Sequence, residues 1–239
     1  MNELIKKGMK EWNKIKLSNL KHYYELLLED VKGFKYPPHN IKKYTLNVFK
    51  LKRINILLKH SNKLHIGCGD VKINGFINID AFKTPAVDFV CGIEDLPKYI
   101  KANSIGLIYL SHTLEHFSRR DSIQMLKMFY DFLEPSGELR ISVPDLIKLS
   151  DIVKTRKELD AKNMDLLQGI LMGGQDTRYN YHKSIYWFDL LKQILLDIGF
   201  KNIDEYPSRP HFLGDVEDAS SMAGQPVFGS ISLNVKATK

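Results

Sequence analysis

Three residues with chemistry to offer stand at i, i+3 and i+4 in Ser111-His112-Thr113-Leu114-Glu115-His116. A helix starting near Thr113 would put His112, Glu115 and His116 on one face. Three uses of that face compete. Glu115 and His116 can be structural, one in a first helical turn and the other bound to backbone. His112 or His116 can be a general base that takes a proton from an acceptor hydroxyl. Or all three can chelate a divalent metal, since imidazole and carboxylate are zinc-type donors. Asp145, behind Val143-Pro144, is a further acid–base candidate, or the N-cap of a helix starting at Leu146. His182 lies in the glycine-rich, aromatic stretch Gly173 to Lys183. Such a loop can cover an acceptor, with Arg178, His182 and Lys183 holding a phosphate or carboxylate, or it can be an ordinary solvated loop.

A second set of residues suits a cofactor. Gly67-Cys68-Gly69-Asp70 follows an apolar run; two residues without a Cβ let the backbone turn tightly and approach a ligand. Asp80 ends the next apolar run and can accept both hydroxyls of a ribose. Glu94-Asp95-Leu96-Pro97 comes next. A carboxylate there can accept from an adenine amino group while the following N–H reaches the ring; as an alternative, Asp95 caps a helix.

The elements that must position these residues alternate. Strands are expected at 63–66, 76–79, 87–91, 105–110, 138–143, 201–206 and 230–236, and helices at 41–59, 96–101, 121–133, 146–157, 164–171 and 185–198. Alternation of this kind predicts an α/β, Rossmann-like fold: a mostly parallel seven-stranded sheet with helices on both faces. The last strand follows the sixth without a helical crossover and should be antiparallel. In open sheets of this kind ligands bind at the carboxyl ends of the strands, where the residues above all fall. Only residues 70–79 separate Gly69 from Asp80, so the first crossover helix should be very short or missing. Residues 1–60 read as a basic helical extension and 61–239 as the domain that holds the site.

Taken together, these pieces resemble the class I S-adenosylmethionine-dependent methyltransferases over about Lys63 to Lys236. Leu64-His65-Ile66-Gly67-Cys68-Gly69, Phe76-Ile77-Asn78-Ile79-Asp80, Leu114-Glu115-His116 and Leu233-Asn234-Val235-Lys236-Ala237 are similar to small bacterial members associated with surface-polysaccharide biosynthesis. The resemblance implies S-adenosylmethionine as cofactor. Its contacts would come from the loop His65, Gly67, Cys68 and Gly69, from Asp80 at the ribose, from Glu94, Asp95 and Leu96 at the adenine, and from Ser111. It implies a small-molecule or glycan acceptor, with His112, Glu115, His116, Asp145 and His182 as catalytic candidates and a divalent metal as an optional addition. The chain departs from the family pattern at His65, where an acid is usual, at Val71, where a third glycine is usual, and at Gly106, where Asp often stands.

Rivals fare worse. A nicotinamide site expects G-x-G-x-x-G, and position 72 is Lys. No phosphate loop of the G-x-x-x-x-G-K-[ST] type exists. Leu110-Ser111-His112-Thr113 differs from the Asn/Asp-Pro-Pro-Tyr of base-amine methylating enzymes, which disfavours nucleic acid as acceptor. Cys68 and Cys91 lack a Pro-Cys context and read as apolar fillers.

The 239 residues carry a net charge of +7. Residues 1–60 hold 14 Lys/Arg against 5 Asp/Glu, while 61–239 hold 21 against 23. A basic front end can meet nucleic acid, an anionic membrane surface or a phosphorylated substrate, or be a solvated helical cap. It keeps open an RNA or protein methyltransferase guided by that segment; the altered glycine loop keeps open a non-catalytic binding module. No run is long and apolar enough for a transmembrane segment, and two cysteines make no disulfide framework, so a cytoplasmic location is expected. Oligomeric state is not legible.

Overall fold

The computed structural model describes residues 41–155, 160–209, 211–214, 216–220 and 228–239. The basic extension, apart from its last helix, lies outside the described residues. The chain divides into two compact units, Met1–Phe49 and Lys50–Lys239, and the site belongs to the second. The elements are α1 (Ile41–Leu58), β1 (Lys63–Ile66), β2 (Ile77–Asp80), β3 (Phe89–Val90), a 3-10 helix (Ile93–Lys98), β4 (Ile105–Ser111), a 3-10 turn (Leu114–His116), α2 (Arg119–Phe132), β5 (Leu133–Pro144), α3 (Leu146–Thr155), α4 (Ala161–Met172), α5 (Phe188–Ile198), β6 (Lys201–Glu205) and β7 (Ser232–Thr238).

All seven strands form one sheet in the order β3-β2-β1-β4-β5-β7-β6. The first five pair in parallel. β7 runs antiparallel between β5 and β6, as the missing crossover predicted. The strand order turns around between β1 and β4, so the loops after Ile66 and Ser111 open on the same crevice. Ten residues, 67–76, join β1 to β2 without a helix.

Side-chain alternation gives the sheet two unlike faces. Leu64, Ile66, Ile77, Ile79, Ile108, Leu110, Leu139, Ile141, Leu233 and Val235 belong to one buried apolar cluster. Helices supply its other half. α2 contributes Met125, Leu126, Phe129 and Phe132, and α5 contributes Leu191 and Leu195. Spacings of three and four residues put these groups on one stripe of each helix. Each such burial is worth about 1.5–3 kcal/mol. α2 starts at Ser118, whose hydroxyl accepts from the Asp121 N–H at 3.2 Å.

The opposite face is polar. A register row runs Asn78, His65, Tyr109, Arg140, Lys236 across five strands. The His65 ring stacks on Tyr109 and sits 3.1 Å from Asn78 Oδ1. The Tyr109 hydroxyl donates to Asp218 Oδ2 at 2.6 Å, and Arg140 lies over Phe212 and Tyr206. These contacts fasten the segment before β7 onto the sheet. Within it, the Ser220 N–H donates to Asp218 Oδ1, so its described part is a capped turn.

Several boundaries move from expectation for physical reasons. Residues 93–98 form a 3-10 helix, not an α-helix over 96–101, and carry Pro97 inside. Gly92 is its N-cap, so Asp95 lies within the turn and does not cap it. β5 starts at Leu133 because the end of α2 feeds straight into pairing with Ile105. α5 starts at Phe188, not 185, because Tyr186 bridges Asp145 and accepts from the Leu146 N–H at 2.9 Å.

Candidate active site

The expected residues fall mainly at the carboxyl ends of β1, β2 and β4. In the loop after β1 both glycines have positive φ, +67° at Gly67 and +51° at Gly69. Their surroundings differ. A Cβ on Gly67 would lie 2.3 Å from Thr113 Oγ1 and 2.6 Å from its Cγ2. Gly67 is therefore glycine because Thr113, from the other side of the crevice, packs against its backbone. A Cβ on Gly69 would meet nothing within 4 Å. The space beside Gly69 is open.

Asp80 holds that loop. Its Oδ2 accepts from the Gly69 N–H at 2.9 Å and its Oδ1 from the Phe82 N–H at 2.8 Å. Each carboxylate oxygen keeps a second acceptor site. Thr84 adds a bond to the Gly69 carbonyl at 2.7 Å. Cys68 is buried; burial, with the nearby Asp80 charge, pushes its thiol up to about 12. Burial likewise pushes Cys91 up to about 11. Both are protonated fillers, as expected.

In the 3-10 helix after β3, where adenine contacts were expected, Leu96 is a core residue, Glu94 is exposed and Asp95 pairs with Lys98 in its own turn. Ser111 ends β4 with a buried hydroxyl that has no hydrogen-bond partner among the described residues. His65 departs from the expected lining. Its side chain is fully buried on the polar sheet face, where burial holds the ring below the ordinary histidine value. It supports the strand under the loop and presents no atom to the crevice.

The residues after β4 do not form the expected helical face. His112 has φ +47°, and only a 3-10 turn follows at Leu114–His116. The His112 Nε2–H donates to Ser232 Oγ at 2.8 Å, because the Ser232 hydroxyl spends its own hydrogen on the Ala219 carbonyl. The other ring nitrogen, Nδ1, lies 3.3 Å from Glu115 Oε1. Glu115 is 1% exposed and points inward. Burial raises its carboxyl, but the facing His112 ring and the charge of His116 outweigh that and hold it below the ordinary carboxylate value.

His182 joins this group from far along the chain. Its Nε2 is 4.0 Å from Glu115 Oε1, and its ring meets the His116 ring edge-on at 4.8 Å between centroids. Backbone bonds put it there: the Lys183 and Ser184 N–H groups both donate to the Glu115 carbonyl, and the His182 N–H donates to Met172 O. Burial lowers the His182 ring below the ordinary histidine value. Its side chain opens onto a small cleft lined by Pro144, Leu146, Leu149, Leu171 and Ile185. Asp145 stands apart from this cluster as a helix cap, its Oδ1 accepting from the Ile147 N–H at 3.0 Å.

Sequence spacing gave no sign of four contributors. Thr113 closes on Gly67, Ser232 orients His112, and Phe82 meets Tyr179 edge-on at 4.9 Å. That last pair ties the 173–183 loop to the loop after Asp80. A threonine two residues beyond a strand end, or a serine opening the last strand, carries no pattern that marks it.

No protein-family model matches the chain and no curated protein matches it. Several solved structures are similar to it at low identity. A S-adenosylmethionine-dependent methyltransferase from Archaeoglobus fulgidus is 17% identical with a TM-score of 0.47, over 91% of this chain and 100% of that one. A Burkholderia thailandensis 1,6-didemethyltoxoflavin-N1-methyltransferase is 15% identical with a TM-score of 0.45, over 91% and 89%. A Haemonchus contortus phosphoethanolamine N-methyltransferase 2 is 12% identical with a TM-score of 0.43; 82% of this chain spans about half, 52%, of that longer one. The fold itself stands on the strand order and register above.

Proposed function

We propose that the chain is a S-adenosylmethionine-dependent methyltransferase acting on a hydroxyl of a small acceptor, a sugar or glycan precursor. The reading rests on two features at the carboxyl ends of neighbouring strands: the Gly69 turn fastened to Asp80, and the imidazole–carboxylate cluster after β4. The first half suits a nucleoside with a charged tail: Asp80 retains acceptor sites for ribose hydroxyls, and Gly69 leaves space beside them. Gly67 and Cys68 shape the turn, Ser111 offers a free hydroxyl, and Glu94, Asp95 and the Leu96 backbone edge the adenine side. The cofactor supplies the methyl group as a sulfonium. The second half suits the acceptor. With cofactor and acceptor bound, the acceptor oxygen would take the methyl group and the cofactor would leave as a neutral thioether. The hydroxyl proton is given up at the cluster of His112, Glu115, His116 and His182.

The sugar class of acceptor rests on the motif resemblance and on the polar loop with Arg178, His182 and Lys183 beside the cluster. Incubating the protein with labelled S-adenosylmethionine and a panel of nucleotide sugars, simple glycosides, RNA and protein tests it. Label in a sugar hydroxyl supports the reading. Label confined to RNA or protein moves the acceptor to the alternative class, and no cofactor binding at all supports a non-catalytic module.

A further inference from the structure

The cluster after β4 contains an imbalance that methyl transfer alone leaves unexplained. Both carboxylate oxygens of Glu115 and Nδ1 of His116 are buried with no hydrogen-bond partner among the described residues. A buried carboxylate without aligned donors is costly, by several kcal/mol in effective terms, unless a charge compensates it. His112 approaches one oxygen at 3.3 Å, but its other nitrogen is committed to Ser232. One donor atom each from Glu115, His116 and His182 lies within 4.8 Å of the other two.

We propose that Glu115, His116 and His182 hold a single divalent cation of the zinc type. Two imidazole nitrogens and one carboxylate oxygen are the donor set such ions take, and three protein ligands leave a position for an outside oxygen. Magnesium and calcium prefer shells built of oxygen and do not suit it. The ligands sit on pinned backbone. Glu115 and His116 are fixed by the 3-10 turn, and His182 by the two N–H groups on the Glu115 carbonyl and by its own bond to Met172. His112 then has a definite place as the outer neighbour: Ser232 fixes its ring 3.3 Å from the Glu115 carboxylate.

The expected third donor changes accordingly. His112 stays 3.3 Å from Glu115 Oε1 with its other nitrogen on Ser232, and the group of three donor atoms is completed by His182 instead. Of the three ligands, His182 also lines the small cleft beside Pro144 and Leu171. Where the cation is bound, it acidifies the acceptor hydroxyl in place of direct proton transfer to Glu115, His116 or His182, and the proton leaves to water. That last role rests on the methyltransfer reading; cation binding itself does not.

The test uses the full chain, stripped with a chelator and titrated by calorimetry with zinc, then with cobalt followed by its visible absorption. One equivalent of zinc should bind, magnesium should not compete, and cobalt should give a low-coordinate spectrum. His116→Ala and His182→Ala should abolish stoichiometric binding while far-ultraviolet circular dichroism stays unchanged. His112→Ala should weaken it by about 10–100-fold. His182→Asn serves as a second replacement if the alanine variant misfolds. No stoichiometric uptake, or uptake unchanged in the folded His116 and His182 variants, overturns the site. S-adenosylmethionine titrated into the same stripped protein separates the two ideas. Cofactor binding without zinc uptake sinks the cation alone; zinc uptake without cofactor binding sinks methyl transfer alone.

Discussion

The two glycines of the first loop have the same spacing signature but different jobs, so alanine should separate them. In Gly67→Ala the new Cβ would strike Thr113 Oγ1 at 2.3 Å, with φ at +67°. The left-handed backbone costs an L-residue about 1–2 kcal/mol, and overpacking against a buried side chain adds about 1–3 kcal/mol. The expected loss of stability is therefore about 2–5 kcal/mol. In Gly69→Ala φ is +51° and the Cβ meets nothing, so only the backbone cost of about 1–2 kcal/mol applies. Its Cβ instead enters the space assigned to the cofactor and should weaken S-adenosylmethionine binding by about tenfold or more, about 1.4 kcal/mol. Urea unfolding measures the first effect and calorimetry the second. A Thr113→Ala background removes the atoms at 2.3 and 2.6 Å, so Gly67→Ala should recover about 1–3 kcal/mol there. Equal stability of the two single variants would refute the packing argument; unchanged affinity in Gly69→Ala would refute the placement of the ligand.

Three further outcomes follow from the same geometry. Asp80→Ala should weaken S-adenosylmethionine binding by about 1–3 kcal/mol, since a charged acceptor and the anchor of the Gly69 turn go together; calorimetry showing wild-type affinity contradicts the ribose role. Cys68 and Cys91, with thiols at about 12 and about 11, should resist alkylation at neutral pH in the folded protein and react after unfolding; rapid labelling of either in the native state counts against their placement. His65 and His211 are held below the ordinary value of 6.5 by burial, so as pH falls below 6.5 the unfolded chain takes up protons that the folded one resists. Stability should then drop by up to about 1.4 kcal/mol per pH unit for each ring. Urea midpoints for metal-free protein at pH 7 and 5.5 check the sign, and a higher midpoint at pH 5.5 would contradict it.

Local pattern carried most of the fold. β1 and β4 were legible almost to the residue because apolar alternation ends in Gly67 and in Ser111-His112. Gly199 marked the end of α5, and the bare link from β6 to β7 marked the reversed strand. What escaped depends on tertiary contact. β3 shrinks to Phe89–Val90 at the sheet edge, with one neighbour to pair with. Tyr186 reads as helix by periodicity but is drawn into a bridge with Asp145.

The site divides the same way. The Gly69–Asp80 partnership was visible as strand-end chemistry, and the structure adds the direct bond at 2.9 Å. Spacing suggested a His112–Glu115–His116 face, but that spacing presumes α-helical turns, which the positive φ of His112 and the 3-10 turn deny. His182 reaches Glu115 through backbone bonds from Lys183 and Ser184, and no side-chain pattern records those. The His65 side chain stacks on Tyr109 on the polar sheet face, a tertiary contact that spacing does not record.

Cofactor binding is the central claim, and titration calorimetry of the purified chain with S-adenosylmethionine and with S-adenosylhomocysteine tests it most directly. One site per chain with dissociation constants on the order of micromolar is the expected result. No detectable binding of either compound up to millimolar concentration would contradict it.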